Sequence, residues 1–189
     1  MNYNKSFNFL KNLPKKLNNF YKKNSKLSFR IDNKSKTIKD FDPVTNIDRG
    51  FEKYIRSLIH KSFPNDSIIG EEFEDKFSSS DYQWCIDPID GTRAFIIGAP
   101  TWSNLIGVSF QEKSILGLAN FPELDKYYIS NEKTSFVVKN KQKSILRSSK
   151  NNNLKTIRII GNFHGTLSYE RQKKIIKKFG WSFRLAGFD

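Results

Sequence analysis

The chain has 189 residues, 37% of them hydrophobic and 14% aromatic, which is enough for one domain, or one domain and part of another, and argues against wholesale disorder. Its 33 Lys and Arg outnumber 19 Asp and Glu for a net charge of +14. The lysine runs (Lys15-Lys16, Lys22-Lys23, Lys173-Lys174) are only two long and scattered, which weighs against a nucleic-acid footprint and for a diffuse bias. Cys85 is the single cysteine, so an intramolecular disulfide is excluded and a reducing, cytoplasmic setting is expected; no run approaches the roughly 18 apolar residues of a membrane span.

Phe7, Leu10, Leu13, Leu17, Phe20 and Tyr21 form a helical stripe over residues 6–22, interrupted by Pro14. Residues 28–39 read as a strand or hairpin. Thr45 opens a second helix, with Thr45 and Asp48 spaced as a capping box and Ile47, Phe51, Tyr54, Ile55, Leu58 and Ile59 as its buried face. Phe63-Pro64 ends it. Short strands follow at 67–70 and 82–86, the first delivering Glu71 and Glu72 and the second Asp87. Segments 103–110, 114–121, 126–130 and 135–139 alternate like an antiparallel meander. A strand at 155–160, an amphipathic helix at 167–179 with Ile175, Ile176 and Phe179 inward, and a strand at 181–185 complete the expected elements.

Three acidic clusters carry the chemistry: Asp42 to Asp48, Gly70-Glu71-Glu72, and Asp87-Pro88-Ile89-Asp90-Gly91-Thr92. Taken singly, Asp42 and Asp48 read as helix caps, Glu71 and Glu72 as solvated loop residues and Asp90-Gly91 as a turn. Together they suit a hard, oxygen-loving cation, with the amides at Gly91-Thr92 offered to an anion such as phosphate. Cys85, His60 and His164 have no evident partners for nucleophilic catalysis.

Trp84 followed by Asp87-Pro88-Ile89-Asp90-Gly91-Thr92, with Asp42-x-Val44-Thr45-x-x-Asp48 and Gly70-Glu71-Glu72 upstream, resembles the inositol monophosphatase superfamily over residues 36–122. The resemblance implies an α/β (layered α+β) fold, the αβαβα sandwich of that family. Residues 1–140 would form its first half with the metal site, and 141–189 would begin an incomplete second half. It implies Mg²⁺ held by Glu71, Asp87, the Ile89 carbonyl and Asp90. The Gly91 and Thr92 amides and Asp90 would bind the substrate, and Thr92 with Asp48 would activate the attacking water. Either Lys36 or Lys39 would fill an upstream lysine position. Two divalent ions would neutralise the phosphate and acidify a water, so no nucleophilic side chain is required.

The stretch from Arg93 to Gly107 resembles the histidinol-phosphatase branch more than the inositol branch. The segment Arg184 to Asp189 resembles a substrate-pocket entry, with Asp189 facing the substrate. The family's further metal carboxylate, in a downstream Trp-Asp motif, is not reached, so a C-terminally truncated member of reduced activity is expected. The expected activity is hydrolysis of a small phosphate monoester, histidinol phosphate ahead of inositol monophosphate. No specific nucleic acid or membrane partner is expected, and a homodimer is left open. The competing readings are a non-catalytic module of the same fold and a basic nucleic-acid-binding protein.

Overall fold

The first apolar stripe becomes α1 (Tyr3–Asn24), which buries Leu10, Leu13 and Leu17 and runs through Pro14 without a break. Proline costs an interior helix one N–H donor, and here its ring is buried in the packed face instead. The structure, a computed structural model, describes residues 3–24, 30–34 and 43–150, together with 153, 168, 170, 171, 173, 174 and 177. Contacts divide the chain into two units, Met1–Leu146 and Arg147–Asp189.

A two-stranded ribbon of β1 (Ile31–Asn33) and β2 (Pro43–Thr45) leads into α2 (Asn46–Ser62). Thr45 caps α2: its hydroxyl accepts from the Ile47 and Asp48 amides, and the Asp48 carboxylate accepts from the Thr45 amide at 2.9 Å. Such a box contributes about 1 kcal/mol. Ile47, Phe51, Ile55 and Ile59 are buried as the spacing predicts, while Tyr54 and Leu58 are only partly covered. Phe63 closes the helix by donating its amide to the Ile59 carbonyl.

Seven strands then form one sheet in chain order: β3 (Ser67–Gly70), β4 (Tyr82–Asp90), β5 (Ser103–Phe110), β6 (Lys113–Phe121), β7 (Lys126–Asn131), β8 (Ser135–Lys139) and β9 (Gln142–Leu146). β3 pairs parallel with β4, and every later pairing is antiparallel. The short helix α3 (Thr92–Ile96) lies between β4 and β5.

Alternation along the strands sends Trp84, Ile86, Ile106, Val108, Leu116, Leu118 and Ile129 into one core with the inner faces of α1 and α2. Trp84 packs edge-on to Phe9 and stacks on Phe63, and its indole donates to the Asp66 carboxylate at 2.8 Å. Burying side chains of this size stabilises the unit by about 1.5–3 kcal/mol each.

Apart from one-residue shifts at the ends of β6 and β7, two strands differ from the sequence reading. β4 does not stop at Ile86 but runs to Asp90, and β9 was not expected, because all five of its residues are exposed and carry no apolar alternation. The first unit therefore extends through the β8–β9 hairpin, whose turn is Asn140-Lys141. Glu170, Arg171, Lys173, Lys174 and Lys177 are helical and exposed, the polar positions of the helix expected at 167–179. The strands expected at 155–160 and 181–185, and the inward residues of that helix, lie outside the described residues. No helix among the described residues is long and apolar enough to cross a membrane.

Candidate active site

Asp87 and Asp90 are three residues apart, so strict alternation would send them to opposite faces of the sheet. The ladder shows why they are not. Asp87 pairs with Leu105 and Asp90 with Ser103, so two residues of β4, Pro88 and Ile89, face the single residue Asn104 of β5. This is a β-bulge, a place where a proline's missing N–H is tolerated. Pro88 and Ile89 both turn inward, while Asp87 and Asp90 stay on the outer side. Asn104 donates to the Pro88 carbonyl at 2.6 Å, and the Ser103 hydroxyl donates to Asp90 at 3.3 Å.

The second pair of acids follows β3. Glu52, on α2 and wholly buried, accepts from the amides of Glu71 (3.0 Å) and Glu72 (2.7 Å) through one oxygen. Its other oxygen pairs with Arg56 at 2.7 Å, and Arg56 in turn donates to the Phe73 carbonyl. Gly70 leaves room for this pair: a Cβ would stand 2.0 Å from the Glu52 carboxylate and 2.6 Å from the Arg56 guanidinium, and would displace them. Above this turn the Lys34 ammonium lies 2.8 Å from Glu71 and 2.6 Å from Glu72.

Asp48, 2% exposed, sits one turn before Glu52 on α2. One of its oxygens takes the Thr45 amide and hydroxyl; the other is 3.3 Å from the Thr92 hydroxyl. That hydroxyl is also 3.1 Å from the Ile89 carbonyl, so its single proton is shared between a carboxylate and a carbonyl. Gly91 precedes α3 at φ 85, a left-handed conformation that glycine adopts without strain, and it turns the chain from the bulge to Thr92.

In a chain of net charge +14, these acids form a concentrated negative centre. Burial, then the charges of Glu71 and Asp90, a proton shared with Glu71 and the charge of Asp48 push the Asp87 carboxyl up to about 7. Burial also raises Asp48, against the opposing hydrogen bonds from Thr45 and Thr92. Glu72 is raised by burial, against the pull of Lys34. Glu71 and Asp87 stand at one side of a cleft of about 740 Å³ on the outer face of the sheet, which Cys85, Leu105, Gly117 and Tyr128 also line.

The donors fit a hard cation. They are all oxygens, and the buried Asp87 Oδ1 has no hydrogen-bond partner among the described residues. No set of three or more acidic, His or Cys side chains among those residues closes on one point. Mg²⁺, which keeps several waters, binds through one or two carboxylates.

The structure thus brings Asp48, Glu71, Asp87, Ile89, Asp90, Gly91 and Thr92 into one region, while Asp42, Lys36, Lys39 and Asp189 lie outside the described residues. Sequence patterns do not single out Lys34, Glu52, Ser103 or Asn104. Glu52 alone left a trace: at about 100° per residue it falls within about 20° of Ile59 on the helical wheel, an acid inside a buried stripe.

Comparison with known proteins gives the family and the fold. The sequence profile of the inositol monophosphatase family matches residues 5–182. A histidinol-phosphatase of Chlorobaculum parvum is 43% identical over 90 residues, covering 48% of this chain and 35% of that protein. The chain therefore spans about a third of the length of that relative. A Thermotoga maritima IMPase superposes with a TM-score of 0.71 at 26% identity, covering 95% of this chain and 66% of that one. An IMPase/NADP phosphatase solved with NADP and Ca²⁺ gives 0.78 at 17% identity, covering 94% and 65%. The chain belongs to the inositol monophosphatase family.

Proposed function

We propose that this chain carries the metal and phosphate site of a Mg²⁺-dependent phosphate monoesterase, with histidinol phosphate as its substrate. The observation that carries the reading is the Asp87 carboxyl, held up to about 7 by burial and by Glu71, Asp90 and Asp48, with one buried oxygen that has no partner among the described residues. That repulsion is what a bound divalent cation would relieve. Glu71, Asp87 and the Ile89 carbonyl would hold one such ion and Asp87 with Asp90 a second, so that neither needs three carboxylates at one point. When bound, such a cation neutralises phosphate charge and lowers the pKa of a water.

The chain's own residues supply the rest. The Thr92 hydroxyl, donating to Asp48, keeps lone pairs free to accept a proton from the attacking water, and burial makes Asp48 the more basic acceptor behind it. A new bond from the water oxygen to phosphorus replaces the ester P–O bond. The released alcohol takes up a proton, and inorganic phosphate remains. The Gly91 and Thr92 amides at the start of α3 would orient the phosphate.

Histidinol phosphate is favoured by the 43% identity to a protein of that name and by the stretch from Arg93 to Gly107. Inositol monophosphate is the second reading, favoured by the similarity to the Thermotoga maritima IMPase. Phosphate release from each with Mg²⁺ tests the choice. In the active enzyme Asp90→Asn should lower turnover by several orders of magnitude, and Thr92→Ala by about 10²–10⁴-fold. Near-normal turnover in Asp90→Asn contradicts the reading.

A further inference from the structure

We infer that Asn104, steadied by Asn120, is a positioning residue for the Asp87/Asp90 pair: its amide pins the β4 bulge that keeps both carboxylates on one face. The inference rests on the reading of that pair as a cation site.

Asn104 is the residue that faces the two bulged positions, and its NH₂ donates to the Pro88 carbonyl at 2.6 Å. Its oxygen accepts from its cross-strand partner Asn120 at 2.9 Å, and Asn120 also donates to Asn18 of α1 at 2.9 Å. Because Asn120 supplies a donor, the oxygen of Asn104 is held toward β6 and its NH₂ toward β4. Both amides are 0% exposed. Ile106 and Val108, the next inward positions of β5, are apolar, whereas position 104 buries an amide where the bulge offers a carbonyl. The hydrogen bond by which this amide pair reaches the ligand-bearing strand is the one to the bulge carbonyl.

Without the Asn104 donor, the Pro88 carbonyl would face the core unpaired. A one-residue slip of the ladder would relieve it, and would carry Asp90 to the opposite face, because side chains alternate with period two. The pinned peptide also sets the next one, whose Ile89 carbonyl faces the Thr92 hydroxyl. Asn104 therefore orders the acids and Thr92 without touching a ligand.

The test compares Asn104→Leu and Asn120→Leu with Val108→Ala, a core deletion on the same strand away from the bulge, in the full 189-residue chain. Two quantities are read: the Mg²⁺ dissociation constant by calorimetry, and hydrogen exchange across residues 86–92. Asn104→Leu is expected to weaken Mg²⁺ binding about tenfold or more, as for partners that orient metal ligands, and to speed exchange at the bulge by a similar factor; Asn120→Leu, which acts one step further away, is expected to change both by roughly fivefold. Val108→Ala should lower the melting temperature but leave both quantities within about twofold of wild type, since mutations at separate sites act independently. If Asn104→Leu matches Val108→Ala in both, the positioning role is overturned while the cation site stands. If wild type binds no Mg²⁺ but Asn104→Leu still loosens the bulge, the cation reading fails and the positioning role stands. Should Asn104→Leu not fold, Asn120→Leu gives the same decision.

Discussion

The Gly70–Glu72 turn and the Asp87–Asp90 bulge each present two carboxylates, but opposite chemistry holds them. The turn is gripped by a buried ion pair from α2, Glu52 with Arg56, and covered by the Lys34 ammonium. The bulge is gripped by neutral groups, the Asn104 amide and the Ser103 hydroxyl, and no ion pair among the described residues reaches Asp87 or Asp90. The protein thus compensates the charge of the first pair and leaves that of the second standing. That difference leaves Asp87 and Asp90, with Glu71 beside them, as the carboxylates to which the proposed cation would be drawn.

The sharpest way to break this comparison is to remove the ionic grip. Glu52→Ala leaves Arg56 and two amides without their carboxylate, and should cost about 3–5 kcal/mol in urea unfolding. A loss below about 1 kcal/mol would mean that the turn holds itself and that the two regions are not differently built.

A smaller effect comes from pH. The folded Asp87 holds its proton up to about 7, whereas the unfolded residue releases it near the ordinary aspartate value of 3.8. Between those values the native state binds more protons, so metal-free stability from this group falls as pH rises and levels off above about 7. Melting temperatures for wild type and Asp87→Asn should diverge over that window, with Asp87→Asn the more stable toward neutral pH. Parallel curves would mean that the charge at the bulge is already compensated.

The smallest effect belongs to Lys34. Its ammonium is partly exposed, so Lys34→Met should cost under about 1 kcal/mol, and the loss should shrink in 1 M salt. A larger, salt-independent loss would make Lys34 part of the ionic grip rather than a cover over it.

The fold was legible wherever local chemistry and periodicity agreed. The Thr45–Asp48 capping box announced α2, and alternation announced β5 to β8. β9 was hidden because an edge strand with every residue exposed needs no apolar pattern, and Pro88 hid the end of β4 because proline reads as a strand break unless a bulge accommodates it. At the site, the acids were visible as a motif, since carboxylates in three spaced clusters are rare by chance. Their supports were not: Glu52 and Asn104 act across α2–β3 and β4–β5 contacts, and a side chain that holds a backbone group far away in sequence leaves no local signature.

The central claim is that Asp87 anchors a divalent-cation site, and calorimetric titration of the metal-free chain with Mg²⁺ tests it most directly. The account predicts saturable binding by wild type that strengthens as pH rises toward 7, as the Asp87 proton is displaced, and that weakens at least about tenfold in Asp87→Asn. Wild-type and Asp87→Asn chains that bind Mg²⁺ alike, or a folded wild type that binds none at millimolar metal, would contradict it.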